Sequence, residues 1–194
     1  EARRNPTGMP DAEASAQAEE YLQKCIENQD SAGGVVSCKV HGMPAGIGEP
    51  VFDKLDACLG QAVMSIGAVK AFAVGDGCEV SKKNGSTNND AFCNVNGQIS
   101  KKTNHAGGIL GGISDGSDII LRAYFKPTPS IYQKQQTVNQ AGEEIEIQIK
   151  GRHDPIVVSR AVVVVEAMTA VTILDELLRN MTSRLDGIKK FYHK

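Results

Sequence analysis

Hydrophobic residues at helical spacing predict three main helices in this chain. The stretch from Asp11 to Asn28 carries Ala, Leu and Ile among Glu, Gln and Lys, which is typical of an exposed amphipathic helix. A second helix is predicted to begin at Pro50, where proline suits the first helical position, and to end at Gly67. Its apolar positions are Val51, Phe52, Leu55, Leu59, Ala62, Val63 and Ile66. The last helix is predicted to begin near Pro155 or Ser159 and to end near Arg179, with a second piece to Lys190.

Alternating or β-rich runs predict the strands. They cover Val35 to His41, Val69 to Val74, Asp118 to Phe125 and Glu143 to Lys150, with a short further strand over Gln133 to Val138. Residues 80–104 are polar and are expected to form a long loop, a kind of segment that is commonly functional or mobile.

The order of these elements favours an α+β fold, an antiparallel sheet packed with helices, over a doubly wound parallel sheet. Residues 1–10 are expected to form a loose N-terminal segment, and residues 11–194 one domain or one large piece of a bigger domain. The last helix is apolar almost all round, so we expect protein on more than one of its sides.

Composition narrows the class of protein. The 194 residues carry a net charge of −2, which gives no basis for binding nucleic acid or an acidic membrane surface. Ala161 to Leu174 is the most apolar run, but it holds Glu166 and is too short to span a membrane. Five cysteines without CxxC spacing argue against a disulfide framework and a metal site. A reducing compartment such as the cytoplasm fits them. Glu1 stands where a methionine would start a chain, so we expect a processed, trimmed or partial chain.

The segment Gly151 to Pro155 is the sharpest candidate site. Arg152 can hold a carboxylate or phosphate with two parallel hydrogen bonds, and Asp154 is a candidate general base. The alternative is structural: Asp154 before Pro155 also suits the N-cap of the last helix. Both roles are compatible, because a helix N-terminus favours an ionised carboxylate.

Two other segments have the residue types of an anion or cofactor site. The paired glycines within Asn104 to Ser114 let backbone N–H groups approach an anion or a flat ring, although a tight connection into the next strand explains them equally well. Lys126-Pro-Thr-Pro-Ser130 places a lysine and hydroxyls on a stiff loop, as a phosphate cradle requires. Taken alone, this segment fits an ordinary turn better.

In sequence order, several motifs resemble the chorismate synthase family over about Asn5 to Leu178. They are Pro44 to Phe52, Asn104 to Ser114, Phe125 to Ile131, Lys150 to Pro155, Arg160-Ala-Val162 and Glu166-Ala-Met168.

The resemblance implies a function and a fold. The family converts 5-enolpyruvylshikimate 3-phosphate to chorismate by 1,4-elimination of phosphate, requires reduced FMN and is associated with NADP. It is expected to be a cytoplasmic homotetramer with a β-α-β sandwich fold. Asp154 would match the residue that takes a proton from the flavin. The implied flavin contacts are Gly67, Ala68, Gly111, Lys126, Pro127, Thr128, Pro129, Ser130 and Arg152.

The sequence departs from the family pattern at several positions, and these departures change which contacts are expected. Many members have Asn or Pro at Gly67, so only a backbone contact is expected there. Ser159 and Val163 replace common prolines, which affects helix geometry more than chemistry. The family's Ser-His-Gly motif, a second essential histidine and several substrate-binding arginines have no counterpart here. We therefore expect this sequence to be the C-terminal half of the domain.

Three functional hypotheses follow from these observations. The first is a piece of chorismate synthase, inactive alone. The second is a non-catalytic folding and oligomerisation unit of that enzyme. The third is an unrelated phosphate-binding module without a preference for flavin. Binding of flavin by the chain separates them.

Overall fold

The computed structural model describes residues 7–151 and 153–192, which fold as two units. The first unit contains the chain up to Val35 together with Tyr124–Val162. The second unit contains Val36–Ala123 and the chain from Val163 onward. Three antiparallel hairpins and several helices confirm the predicted α+β class.

The first unit begins with helix α1, Ala12–Glu27, in agreement with the predicted span. The side chain of Asp11 caps this helix, because its Oδ1 accepts a hydrogen bond from the amide of Ala14 at 2.7 Å. Strands β8 (Gln135–Val138) and β9 (Glu144–Ile147) form an antiparallel hairpin. The fourth strand was predicted to extend to Lys150. It ends at Ile147 because that residue pairs with Gln135, the first residue of the partner strand.

The second unit is built on a three-stranded sheet in the order β1–β7–β2. The strands are β1 (Gly34–Val40), β2 (Val69–Val74) and the central β7 (Ile119–Phe125), all close to the predicted positions. Alternate side chains of β7 are fully buried, and so are three residues one turn apart on helix α2, Leu55–Met64. The buried residues are Ile119, Leu121, Ala123, Leu55, Leu59 and Val63.

Helix α2 begins at Leu55, so the prediction of a start at Pro50 is wrong. Val51 has φ +71°, a left-handed conformation that cannot continue a right-handed helix. The amide of Glu49 donates to the carbonyl of Asp53 and closes a turn instead. As a result, Val51 and Phe52 stay exposed to solvent.

The stretch predicted as a long loop is largely ordered by short elements. A 3₁₀ helix (Gly77–Lys82) extends into it, and it contains α3 (Gly85–Asn88) and the hairpin of β3 (Phe92–Val95) with β4 (Gln98–Lys101). The sequence signal for that hairpin is Asn96-Gly97, both at positive φ, which is the preferred pair for a two-residue hairpin turn. The next hairpin joins β5 (Ile109–Leu110) to β6 (Ile113–Ser114).

Two helices end the chain: α4 (Val158–Asn180) and α5 (Leu185–Tyr192), which confirms the predicted helix and its second piece. Along α4, Val165, Thr169, Ile173 and Glu176 are buried at helical spacing. The opposite side leaves Val171, Leu174 and Leu178 more than half exposed. Protein covers one side of the helix here, and a partner for the other side stays a prediction. Among the described residues, the helices lack the combination of length and hydrophobicity that a membrane span requires.

Candidate functional site

The start of the glycine-rich segment is held in place by side chains whose polar groups are already used. Both ends of the Asn104 amide are engaged, with Nδ2 donating to the carbonyl of Asp118 and Oδ1 accepting from the amide of Gly108, each at 2.8 Å. The carboxylate of Asp90 accepts from the amides of His105 and Ala106, at 2.7 and 3.0 Å. These contacts therefore support the backbone of the segment.

His105 belongs to a charged cluster in the same unit. Its Nδ1 lies 2.6 Å from Oδ2 of Asp76, which also contacts the ammonium of Lys83. The hydrogen bond from Lys83 has the largest effect on the pKa of Asp76 and lowers it. Burial opposes this effect, and the hydrogen bond from His105 adds a further lowering, so the pKa lies below its usual value. His105 is thus a tethered side chain whose ring position is set by Asp76.

Glycines in this segment are required by close backbone approach. A Cβ added at Gly75 would lie 2.0 Å from the carbonyl oxygen of His105, and one at Gly107 would lie 2.3 Å from the nitrogen of Gly75. Both residues have positive φ, a conformation that glycine adopts without strain. Over residues 104–108, the tight connection is therefore the correct interpretation of the paired glycines.

Gly111 differs from its neighbours, because nothing lies within 4 Å of a Cβ added there. It is exposed in the β5–β6 turn at φ +61°. At Gly112, by contrast, an added Cβ would lie 2.3 Å from the side chain of Lys54. Leu55 fixes this turn by donating its amide to the carbonyl of Gly112 at 2.8 Å. The peptide at Gly111 is thus open to a flat ligand while the residue after it is anchored.

Gly67 and Ala68 lie between α2 and β2. Gly67 is exposed with open space at its Cα, so its backbone is accessible as expected. Ala68 has φ +70°, and a left-handed conformation is unfavourable for alanine by about 1–2 kcal/mol. Such strain often marks functional positions. The structure does not bring this pair next to Gly111, since Gly112 contacts the start of α2 and Gly67 follows its end, about 15 Å along a ten-residue helix.

The loop Lys126 to Ser130, in the first unit, offers donors without partners. Among the described residues, the ammonium of Lys126 has no hydrogen bond or ion pair, and the side chain is exposed. The hydroxyl of Thr128 is buried and likewise lacks a partner within the described part of the chain. Backbone contacts hold the loop, because the carbonyls of Thr128 and Pro129 accept from Ser31 and Gln135 at 2.7 and 2.9 Å. An unpaired ammonium and hydroxyl on a fixed loop fit a phosphate group.

Asp154 and Ser130 are brought together, since both line a cavity of about 70 Å³ in the first unit. Small-molecule sites usually have volumes of roughly 300–1,000 Å³, so this cavity does not hold a flavin by itself. His153 also lines it, with its ring stacked edge-on against Tyr132 at 4.5 Å. Arg152 lies outside the described residues.

The structure corrects the predicted helix-capping role of Asp154. Helix α4 begins at Val158, four residues after Asp154, and its first turn holds no acidic residue. Asp154 instead pairs with Arg160, whose two terminal nitrogens lie 2.8 and 3.1 Å from its carboxylate oxygens. The sequence did not reveal this partner, because Arg160 becomes a neighbour only when the chain bends at Pro155. The carboxylate remains one-third exposed.

Comparisons with known proteins identify the family of this chain. A family model described as chorismate synthase matches residues 1–178. Among proteins named chorismate synthase, that of Lachnoclostridium phytofermentans is 62% identical over 98% of this chain and 52% of its own length. That of Agathobacter rectalis is 58% identical with the same coverage, and that of Archaeoglobus fulgidus is 54% identical over 91% of this chain and 49% of its own.

A solved structure supports the same relationship. The structure described as the crystal structure of chorismate synthase superposes with a TM-score of 0.76 and 27% identity, over 97% of this chain and 50% of the other. The fold and the candidate site define an α+β protein that presents an open glycine turn and a lysine–hydroxyl loop. The chain belongs to the chorismate synthase family. It spans about half the length of the curated relatives it matches.

Proposed function

We propose that this chain is the C-terminal half of a chorismate synthase, a phosphate lyase of aromatic amino-acid biosynthesis. The complete enzyme would convert 5-enolpyruvylshikimate 3-phosphate to chorismate by 1,4-elimination of phosphate and would require reduced FMN. The observation that carries the proposal is the 62% identity, over nearly the whole chain, to a protein named chorismate synthase. The cytoplasm and a homotetramer remain expectations of the family resemblance.

The described residues fit the proposed flavin contacts. In the second unit, Gly111 and Gly67 have the open backbone that a flat ring needs. In the first unit, Lys126 and Thr128 have unused donors suited to a phosphate. Bound reduced FMN would supply the reducing chemistry that the family requires although the reaction has no net redox change.

Asp154 is the residue we propose to accept a proton, on one of its carboxylate oxygens. The Arg160 pair orients the carboxylate without enclosing it, because both side chains are partly exposed. Exposed ion pairs contribute little stability, so exchanging this one for a catalytic contact has a small energetic cost. Arg152, two residues before Asp154 in sequence, is proposed as a further cofactor contact.

A flavin titration of the 194-residue chain is the first test. We expect FMN to bind more tightly than inorganic phosphate, whereas a phosphate-binding module would show no preference for flavin. We also expect no chorismate formation by the chain alone. The second test is a chimaera in which this chain replaces the segment it matches in the Lachnoclostridium relative. Turnover by the chimaera is expected, and its absence in a folded chimaera would contradict the proposal.

A non-catalytic folding or oligomerisation role is the second candidate. The observation in its favour is the exposed apolar side of α4, with Val171, Leu174 and Leu178. Sedimentation of the chain at high concentration tests this role, which predicts self-association without flavin binding. Self-association together with flavin binding would contradict this second role, and turnover by the chimaera would then test the first.

A further inference from the structure

Arg179, in the last turn of α4, joins two carboxylates of the second unit. Its Nη2 donates to Oδ2 of Asp53 at 2.8 Å, and its Nη1 donates to Oε1 of Glu176 at 3.1 Å. Asp53 lies far away in sequence, in the turn before α2. The guanidinium therefore connects the end of one helix to the segment that begins another.

Glu176 gives this contact a fixed anchor. Its side chain is only 2% exposed, and among the described residues its Oε2 has no hydrogen-bond partner. A buried carboxylate is costly without a nearby cation. The charge of Glu176 thus holds the Arg179 guanidinium in one position. In an ordinary exposed ion pair, neither side chain is anchored in this way.

The segment 44–54, which we name the clamp loop, receives two contacts from this end of α4. Asp53 pairs with Arg179, and the carbonyl of Gly46 accepts from Nδ2 of Asn180 at 2.9 Å. Within the loop, Val51 has a left-handed backbone conformation that is strained for a β-branched residue. Such a conformation persists only where surrounding contacts over-determine it.

The clamp loop also contacts the hairpin that carries Gly111. Ser114 donates its amide to the carbonyl of Ile47 at 2.9 Å and accepts on its own carbonyl from the amide of Gly46 at 2.8 Å. The Ser114 hydroxyl donates to the carbonyl of Pro44 at 2.6 Å. At the other end of the loop, Leu55 donates to the carbonyl of Gly112. The loop is thus hydrogen-bonded to the hairpin on one side and to α4 on the other.

We propose that Arg179 is a positioning residue that holds the clamp loop, and through it the hairpin, so that the Gly111 peptide faces its ligand. The assignment of flavin as that ligand rests on the proposed function, whereas the mechanical link from Arg179 to the hairpin does not. Glu176 orients Arg179, and the contact of Arg179 with Asp53 fixes the clamp loop. The hydrogen bonds at Ser114 and Gly112 then fix the hairpin against the loop.

Replacement of Arg179 by Met and by Lys, in the 194-residue chain, tests the link. The matched control is Arg184→Met, which removes a pair with Asp186 that is exposed and local in sequence. In Arg179→Met we expect hydrogen exchange at the amides of Leu55 and Ser114 to accelerate about tenfold or more. Arg179→Lys should restore part of the protection, and Arg184→Met should leave it unchanged. Equal exchange in Arg179→Met and the unsubstituted chain would overturn the proposal.

The same variants in the chimaera test the functional consequence. We expect Arg179→Met to raise the FMN dissociation constant about fivefold to tenfold, with kcat at saturating FMN changed less than twofold. A purely structural role would reduce the amount of active protein without raising the FMN dissociation constant. If the unsubstituted chimaera binds no FMN, the proposed function fails while the exchange result still decides the link. If Arg179→Met fails to fold, Glu176→Gln, which keeps the shape and removes the anchoring charge, should show the same rise in the FMN dissociation constant at smaller amplitude; its absence would overturn the proposal.

Discussion

The candidate residues of the first unit and the glycine-rich segment of the second differ in how fully their polar groups are used. Among the described residues, the ammonium of Lys126 and the buried hydroxyl of Thr128 have no partner. Asp154 has a partner, Arg160, but the side chain of that partner is exposed. In the second unit, both polar atoms of the Asn104 amide and Nδ1 of His105 are hydrogen-bonded, and Gly75 and Gly107 make backbone contacts that leave no room for a Cβ.

The difference separates residues that can contact a ligand from residues that support the backbone. A polar group that is fully satisfied within the fold loses hydrogen bonds if it turns to a ligand, so it acts best as a support. A group that is fixed in place and left unsatisfied gains a hydrogen bond when a ligand arrives. By this criterion Gly111 is the exposed end of a supporting segment, and Lys126 and Thr128 are the candidates for direct contact. Asp154 is paired with Arg160, but the pair is exposed, so a ligand can replace this partner at a small energetic cost.

The sharpest test of the comparison is Asp154→Asn in the chimaera. We expect turnover to fall by a factor of about 10² to 10⁴, the usual effect of removing one positioned acid–base group. Stability and FMN affinity should change little, because an exposed ion pair contributes at most about 1 kcal/mol. Steady-state kinetics and urea denaturation measure the two. Near-normal turnover would make Asp154 a structural partner of Arg160 alone.

A glycine substitution in the second unit should show the reverse pattern. Gly107→Ala places a Cβ against the backbone of Gly75, so we expect a loss of about 3 kcal/mol or more in the free energy of unfolding. Gly111→Ala meets open space and should lose only about 1 kcal/mol, from its left-handed backbone. Chemical denaturation of both variants compares them. Equal losses would show that the close approach at Gly107 is unimportant.

Substitution of Asp90 tests whether its carboxylate supports the backbone at His105 and Ala106. Its carboxylate accepts from Thr103 and from the amides of His105 and Ala106, so Asp90→Ala should cost about 2–3 kcal/mol in the free energy of unfolding. The control Thr103→Ala removes one of these donors and should cost about 1 kcal/mol. A smaller loss for Asp90→Ala than for the control would contradict the supporting role.

The same residue predicts a pH dependence. Burial raises the pKa of Asp90, but the hydrogen bonds from Thr103, Ala106 and His105 outweigh it and leave the pKa lowered. A lowered folded-state pKa gives stability that is complete above the unfolded value, about 3.9, and is lost as pH falls through the folded value. Unfolding measured from pH 6 downward should show this loss, and Asp90→Ala should reduce its slope. An unchanged slope would assign the acid sensitivity to other carboxylates.

The smallest expected effect comes from Thr128→Val in the first unit. The substitution keeps the shape of the side chain and removes a buried hydroxyl that lacks a partner. We therefore expect a gain of about 1 kcal/mol in stability without ligand. FMN should bind more weakly to the same variant in the chimaera. A loss of stability would mean that the hydroxyl has an important role in the unliganded fold.

Local patterns in the sequence determined most of the secondary structure. Val69–Val74 and the span of α1 were predicted correctly, because alternation and helical spacing record which side of each element is buried. The motif residues around Gly111 and Lys126 identified the family, which the comparisons confirmed. Asn96-Gly97 shows that the missed hairpin was also encoded locally, in a turn signal that the polar composition of its surroundings obscured.

Only the tertiary structure decided which candidate groups are free. Nothing in the order of residues shows that Asp90 and Asp76 bind the His105 segment, that Arg160 rather than a helix N-terminus partners Asp154, or that Arg179 reaches Asp53. Val51 likewise fits a helical pattern, but it has a left-handed backbone conformation within the turn that the Glu49–Asp53 hydrogen bond closes. Such pairings depend on long-range packing, which brings together residues whose separation along the chain carries no periodic signal.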